Sequence, residues 1–315
     1  MNANQLKKGD TFGVVKPSDL ITQTRLQLIK NGVQELKKKG FNVVLSDKIT
    51  ETDKYGVSGG SAQTRAEELN SMFKDNSINA IWCAHGGNTV IELLELLDFE
   101  RIKKNPKIFM GMSDIDVLHL AINKITGLIT FNSCDLKIGR NCDFDREYSQ
   151  EWFINRLMQH KKEILPNSDW KTVRDGKAEG KTIGCNVTSL LKLAGTKFFP
   201  DFNNSILLLE GWSTDIRKAI YQLTQLKLIG AFDKIKGVIV GYVYGFDKDP
   251  QHDKKGKRIN YEDVVLDITQ DYTFPILRIN EFGHRTDNAF IPLGAKIKLD
   301  ATNKKLEIID NFLTN

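Results

Sequence analysis

The chain has 315 residues, 40% apolar and 27% charged, with 45 basic against 40 acidic side chains and a net charge of +5. That length points to two domains, and the composition is that of a folded globular protein rather than a disordered one. The basic excess is small and scattered, which excludes a nucleic-acid footprint, and no apolar run approaches the roughly 20 residues of a membrane-spanning helix.

The opening, MNANQLKKGD, lacks the apolar core of a secretory signal, so the expected compartment is the cytoplasm. Cys83, Cys134, Cys142 and Cys185 lie far apart with no CxxC pair. They read as reduced thiols rather than a disulfide framework or a zinc site.

FGVV (12–15) predicts a buried strand, stopped by Pro17. Leu26, Ile29, Val33 and Leu36 recur at helical spacing, and Gly40 ends that helix. FNVVL (41–45) is the next strand, Thr64 to Phe73 a helix, and INAIWCA (78–84) a strand. Val90 to Leu97 is predicted helical and KIFMG (107–111) extended, and Ser113 opens a helix through Val117, Leu118 and Ala121. The alternation predicts a parallel sheet with flanking helices. Residues 1–160 form this first domain, and the polar stretch 161–180 is expected to be a linker. In 181–315, SILLLE (205–210), IKGVIVGYV (235–243) and FPILRI (274–279) are strands around a helix at Ile216–Leu228. IKLD and KKLEII form a closing hairpin, giving a β-rich α/β domain.

Ser113, in GMSD, sits on a strand-to-helix turn, where free N–H groups at a helix N-terminus can stabilise an oxyanion. The GxSxG of a nucleophile elbow is absent, and taken on its own Ser113 reads as a helix cap. HGGN (85–88) is either a tight turn or a backbone able to approach a ligand closely. Glu210 ends a strand, as an exposed lip or as an acid that orients a histidine. His284 lies on a loop, as a solvated side chain or as a general base. GxGxxG and a Walker lysine are both missing, which argues against an ordinary nucleotide-binding domain.

Taken together these segments resemble the LD-carboxypeptidase and microcin C immunity peptidase family. The resemblance runs through LKKGDTFGVVKPSD (6–19), SGGSAQTRAEELNSMF (58–73), IWCAHGGN and NPKIFMGMSDIDVLHLAINKITGLITF (105–131). It continues through GKAEGKTIGCNVTSLLKLAGTKFFPDFNNSILLLE (176–210) and FGHRTDNAFIPLGAKIKLD (282–300). It implies two domains with the site in the cleft between them, and a serine hydrolase working without metal or cofactor, commonly as a dimer. Ser113 matches the nucleophile, Glu210 the acid and His284 the base. The backbone N–H of Asp114, with one from Gly86 or Gly87, matches the oxyanion hole.

Departures from the family pattern concern the substrate. His85 stands where muropeptide-cleaving members carry arginine, and Asn88 replaces a tyrosine. FNSCD (131–135) and GCN (184–186) also depart from the family wording. The expected substrate is an amide near a free C-terminus, in a peptidyl- or aminoacyl-nucleotide conjugate or in a murein tetrapeptide. Trp170 and Trp212 are candidates to stack on a base. The rival from another class is a non-catalytic binding protein on the same fold.

Overall fold

The computed structural model describes residues 1–139 and 143–314. Cys142 lies outside them. Among the described residues no helix is long and apolar enough to cross a membrane.

The first half alternates β1 (Thr11–Val15), α1 (Gln23–Lys38), β2 (Asn42–Leu45), α2 (Ala62–Lys74), β3 (Ala80–Cys83), α3 (Phe99–Lys104), β4 (Ile108–Gly111), α4 (Asp116–Thr126) and β5 (Thr130–Asn132). The five strands lie side by side in the order β2-β1-β3-β4-β5, all parallel. β3 and β4 are buried along their whole length, as helices on both faces require. α1 buries Leu26, Ile29, Val33 and Leu36, the residues whose spacing predicted it, and Thr22 caps it.

The stretch from Val90 to Leu97 is not a helix. Only a 3₁₀ turn forms, Val90–Leu93, and the α-helix begins after Asp98, whose side chain accepts the Arg101 N–H. The apolar run was buried but too short and uncapped to propagate.

After α5 (Glu147–Leu157) come β6 (Glu163–Ile164), β7 (Lys171–Arg174), β8 (Lys177–Asn186), α6 (Val187–Lys192) and β9 (Ser205–Gly211). α7 (Ile216–Leu228), β10 (Gly237–Val243), α8 (Tyr261–Ile268), β11 (Ile276–Gly283), β12 (Ile291–Leu293), β13 (Lys296–Asp300) and β14 (Lys305–Ile308) complete the chain's main elements. The second sheet runs β6-β14-β13-β8-β9-β10-β11-β7, with β8 to β11 parallel and the flanking strands antiparallel.

The segment 161–180 is therefore no linker. It supplies β6, β7 and the start of β8, and its polarity reflects strands at or near the sheet's edges whose side chains stay partly exposed. Nor is the division between domains a single cut. β12 returns to pair antiparallel with β5 in the first sheet, and Ala3–Asn4 pairs with Leu313–Thr314.

Candidate active site

A cavity of about 310 Å³ opens at the carboxyl ends of the parallel strands of both sheets. In the first sheet β2 lies on one side of β1 and β3 on the other, so the chain reverses direction across it. Such a switch point leaves a crevice beyond the strand ends, where α/β sheets hold ligands. Asp19 follows β1, His85 to Asn88 follow β3, and Ser113 follows β4; all line the cavity.

Ser113 takes φ +65°, a left-handed conformation that L-residues rarely adopt. Met112 before it is extended and a 3₁₀ turn, Ser113–Ile115, leads into α4, so the chain turns sharply at the serine. The Ser189 hydroxyl, from α6, donates to the Ser113 carbonyl at 2.9 Å and helps hold the turn. Gly86 packs against it: a Cβ there would stand 2.9 Å from Ser113 Cβ and 3.2 Å from Oγ. Gly87, at φ +152°, leaves no room for a side chain beside the Asp19 carboxyl group, which accepts the Asn88 N–H at 2.8 Å.

Asp114 turns its carboxylate away from the cavity. It accepts from Ser18 Oγ (2.6 Å), the Val90 N–H (2.9 Å) and Lys192 Nζ (2.6 Å). Lys192 also donates to the Asn88 carbonyl at 3.2 Å. This buried carboxylate ties the loops after β1 and β3 to α6 of the second domain.

Glu210 and His284 come from the second sheet, at the ends of β9 and β11. The β9–β10 ladder slips register between Leu209 and Gly211, and such a bulge re-aims a side chain. Glu210 is 1% exposed. Its Oε2 lies 2.7 Å from His284 Nδ1, and its Oε1 accepts from Asn186 Nδ2 at 2.8 Å. Asn186, at the end of β8, caps α6 through Oδ1, which accepts the Ser189 N–H. Its backbone N–H donates to buried Asp116 at 2.7 Å. Burial, and then the nearby Glu210 charge, push the Asp116 carboxyl well above its usual range.

Trp212 lies on the cavity wall, stacked on Tyr244 with ring centres 4.3 Å apart, and 5.1 Å from the His284 ring. Trp170 does not reach the cavity. It is buried in the core, and its indole N–H donates to Glu281 at 2.7 Å. The expectation that Trp170 could stack on a base is therefore not met, since its N–H has a buried partner and its ring is buried in the core.

At the other wall His85 Nδ1 lies 3.1 Å from Asp135 Oδ2, and Lys137 Nζ lies 2.5 Å from the same oxygen. Burial alone would raise Asp135, but Lys137 and His85 together outweigh it and hold the carboxyl far below its ordinary value. Arg25, Lys218 and Arg285 also line the cavity and form no ion pair among the described residues. Among those residues no group of three or more His, Cys, Asp or Glu side chains could hold a metal ion. Asp19, Asp116, Asp135, Asn186, Lys192 and Tyr244 carried no motif of their own. The departures FNSCD and GCN were the only signal near Asp135 and Asn186.

A serine on a strained strand-to-helix turn thus shares a cavity with a carboxylate-held imidazole, an arrangement compatible with a serine hydrolase. The chain matches the LD-carboxypeptidase N-terminal domain over residues 12–133 and the LD-carboxypeptidase C-terminal domain over 179–299, and it belongs to that family. It is 30% identical to a probable murein peptide carboxypeptidase of Bacillus subtilis, over 95% of this chain and 91% of the relative. It is 29% identical to the microcin C7 self-immunity protein MccF of Escherichia coli, over 99% and 96%. The solved structure of MccF in complex with aspartyl sulfamoyl adenosine matches with a TM-score of 0.90 and 27% identity, covering all of both chains. The protein is accordingly a serine peptidase of two α/β domains.

Proposed function

We propose that Ser113, His284 and Glu210 form the catalytic triad, and that the enzyme hydrolyses an amide near a free C-terminus in peptidyl- or aminoacyl-nucleotide conjugates. The observation that carries the triad is the 2.7 Å contact of His284 Nδ1 with buried Glu210, beside a serine held at φ +65°. In this reading His284 takes the Ser113 proton as Oγ attacks the carbonyl carbon, and Glu210 steadies the imidazolium. Backbone N–H groups of Asp114 and of Gly86 or Gly87 receive the oxyanion. His284 then protonates the leaving nitrogen, and water releases the acyl group.

The substrate reading rests on the cavity's charge and its aromatic wall. Arg25, Lys218 and Arg285 suit a phosphate-bearing or acidic ligand, and the Trp212–Tyr244 pair offers a face to a base. Position 85 holds a histidine tied to Asp135 where a free arginine fork would seize a terminal carboxylate. MccF structures carry aminoacyl sulfamoyl nucleotides, which supports the same ligand class.

Incubation with a phosphoramidate peptidyl-adenylate conjugate and, separately, a murein tetrapeptide tests this, with products weighed by mass spectrometry. Cleavage of the conjugate at the higher kcat/KM is expected. Efficient release of terminal D-alanine from the tetrapeptide, with the conjugate untouched, would establish cell-wall recycling instead. We read the protein further as a cytoplasmic homodimer. Buried, unpaired Cys83 and Cys185 suit a reducing compartment, and exposed Ile220, Tyr221 and Leu228 on α7 suit a second copy. A monomeric mass in sedimentation at micromolar concentration would remove the dimer.

A further inference from the structure

We propose that Asp116 is a positioning residue for the catalytic acid, anchoring the end of β8 so that Asn186 holds Glu210 in place for His284. The inference rests on the triad reading above and adds to it a residue outside the cavity lining.

Asp116 opens α4 in the first domain, three residues beyond Ser113, and is fully buried. Its Oδ2 accepts the Asn186 N–H at 2.7 Å, and its Oδ1 accepts from Asn132 Nδ2 at 3.0 Å. Asn186 belongs to the second domain, so this contact crosses between the two sheets. The Asn186 amide cannot turn around freely. Its Oδ1 already accepts the Ser189 N–H (3.1 Å) and faces the Ser189 hydroxyl (3.3 Å), which directs Nδ2 at Glu210 Oε1. With Oε1 occupied, Oε2 is the oxygen left to meet His284. Ser189 in turn holds the Ser113 carbonyl. One buried side chain thus fixes, through Asn186, both the acid and the turn that carries the nucleophile.

Asp116 performs this by hydrogen bonding rather than by charge. A second full negative charge beside Glu210 in a dry site is costly, and burial favours the neutral acid. Asn132 Oδ1 has no hydrogen-bond partner among the described residues. Turning the Asn132 amide presents that oxygen to the proton of a neutral Asp116, trading its unpaired oxygen for an unpaired N–H. The other titratable groups near Glu210 or Asp116 are His284, Cys185, Tyr261 and Lys218.

The test compares D116A, D116V and D116N with wild type and with S113A, on the peptidyl-adenylate conjugate, over a full pH profile. Ala and Val supply no acceptor, so Asn186 drifts from Glu210. Misplacement of a catalytic group by about 1 Å costs roughly 10²-fold, and we expect kcat to fall by about that factor with KM within about threefold. The acid limb of kcat/KM should move, because His284 loses its fixed partner. Asn keeps an acceptor and is neutral, so D116N should retain kcat within about fivefold, with the limb unmoved. Turnover of a folded D116A or D116V within threefold of wild type would overturn the proposal. So would a D116N whose kcat falls by about 10²-fold, and that variant decides alone if neither Ala nor Val folds. An S113A with full turnover would sink the triad reading instead. An inactive S113A beside an undisturbed D116A would sink only this inference.

Discussion

The two walls of the cavity are built differently. Behind the His284 wall, buried Asn186 is hydrogen-bonded both to Glu210 and to Asp116. On the opposite wall, His85, Asp135 and Lys137 keep part of their side chains in water, each 12–15% exposed. A dry, interlocked network fixes one geometry, because each broken contact leaves a buried polar group unmade. A charged cluster that keeps an edge in water can be reached by an incoming ligand. The first wall suits an unvarying chemical step and the second a choice of substrate.

Breaking the chemical wall should have the largest effect. Ser113→Ala is expected to lower kcat by about 10⁴-fold or more, with thermal stability within about 1 kcal/mol, since the hydroxyl packs against little. Retained turnover on either substrate would remove Ser113 as nucleophile.

His119 tests how dry this side is. It lies fully buried on α4, near Phe109, with Nε2 3.1 Å from the Gly111 carbonyl, and burial lowers its pKa from 6.5 to about 4. The unfolded chain therefore binds a proton that the folded one refuses between those values. Stability is complete above pH 6.5 and declines as the pH falls toward 4, by about 2–3 kcal/mol between pH 7.5 and 4.5. Urea titrations of wild type and His119→Gln should show that share of acid sensitivity vanish in the variant. An unchanged pH slope would mean that His119 is protonated in the fold.

Gly86→Ala adds a methyl group against Ser113 and the Met112 carbonyl oxygen, 3.2 Å away. We expect a loss in kcat/KM of about 10- to 100-fold, because the serine turn has no slack to accommodate it. Wild-type kinetics would show that Gly86 is spaced for turning, not for closeness to the nucleophile.

The smallest effect should come from the adaptable wall. His85→Arg with Asn88→Tyr frees a guanidinium fork, and the ratio of kcat/KM for tetrapeptide over conjugate should rise by about tenfold. A fixed ratio would place substrate choice elsewhere in the cavity.

The split between the walls also explains what the sequence disclosed. Ser113 and Glu210 end apolar strands, which burial on both faces writes as unbroken runs, whereas the strand before His284 carries Arg278, Asn280 and Glu281; only the resemblance along the whole chain singled the three out together. Asp116 was silent, and Asn186 showed only as part of the GCN departure. Their roles depend on a contact between α4 and β8, 70 residues apart, that no local pattern encodes. Segment 161–180 misled for a related reason, since strands near a sheet edge alternate too weakly to be told from loop. GCN was legible as a departure but not as strain. Cys185 takes φ +119°, where a glycine would sit without cost.

A triad of this kind requires that Ser113 be the group His284 activates. Labelling with a fluorophosphonate, followed by peptide mapping in wild type, His284→Ala and Glu210→Gln, addresses this directly. We predict one adduct on Ser113, formed orders of magnitude more slowly when His284 is removed and more slowly in Glu210→Gln. An adduct on another residue, or labelling of Ser113 at the wild-type rate without His284, would contradict it.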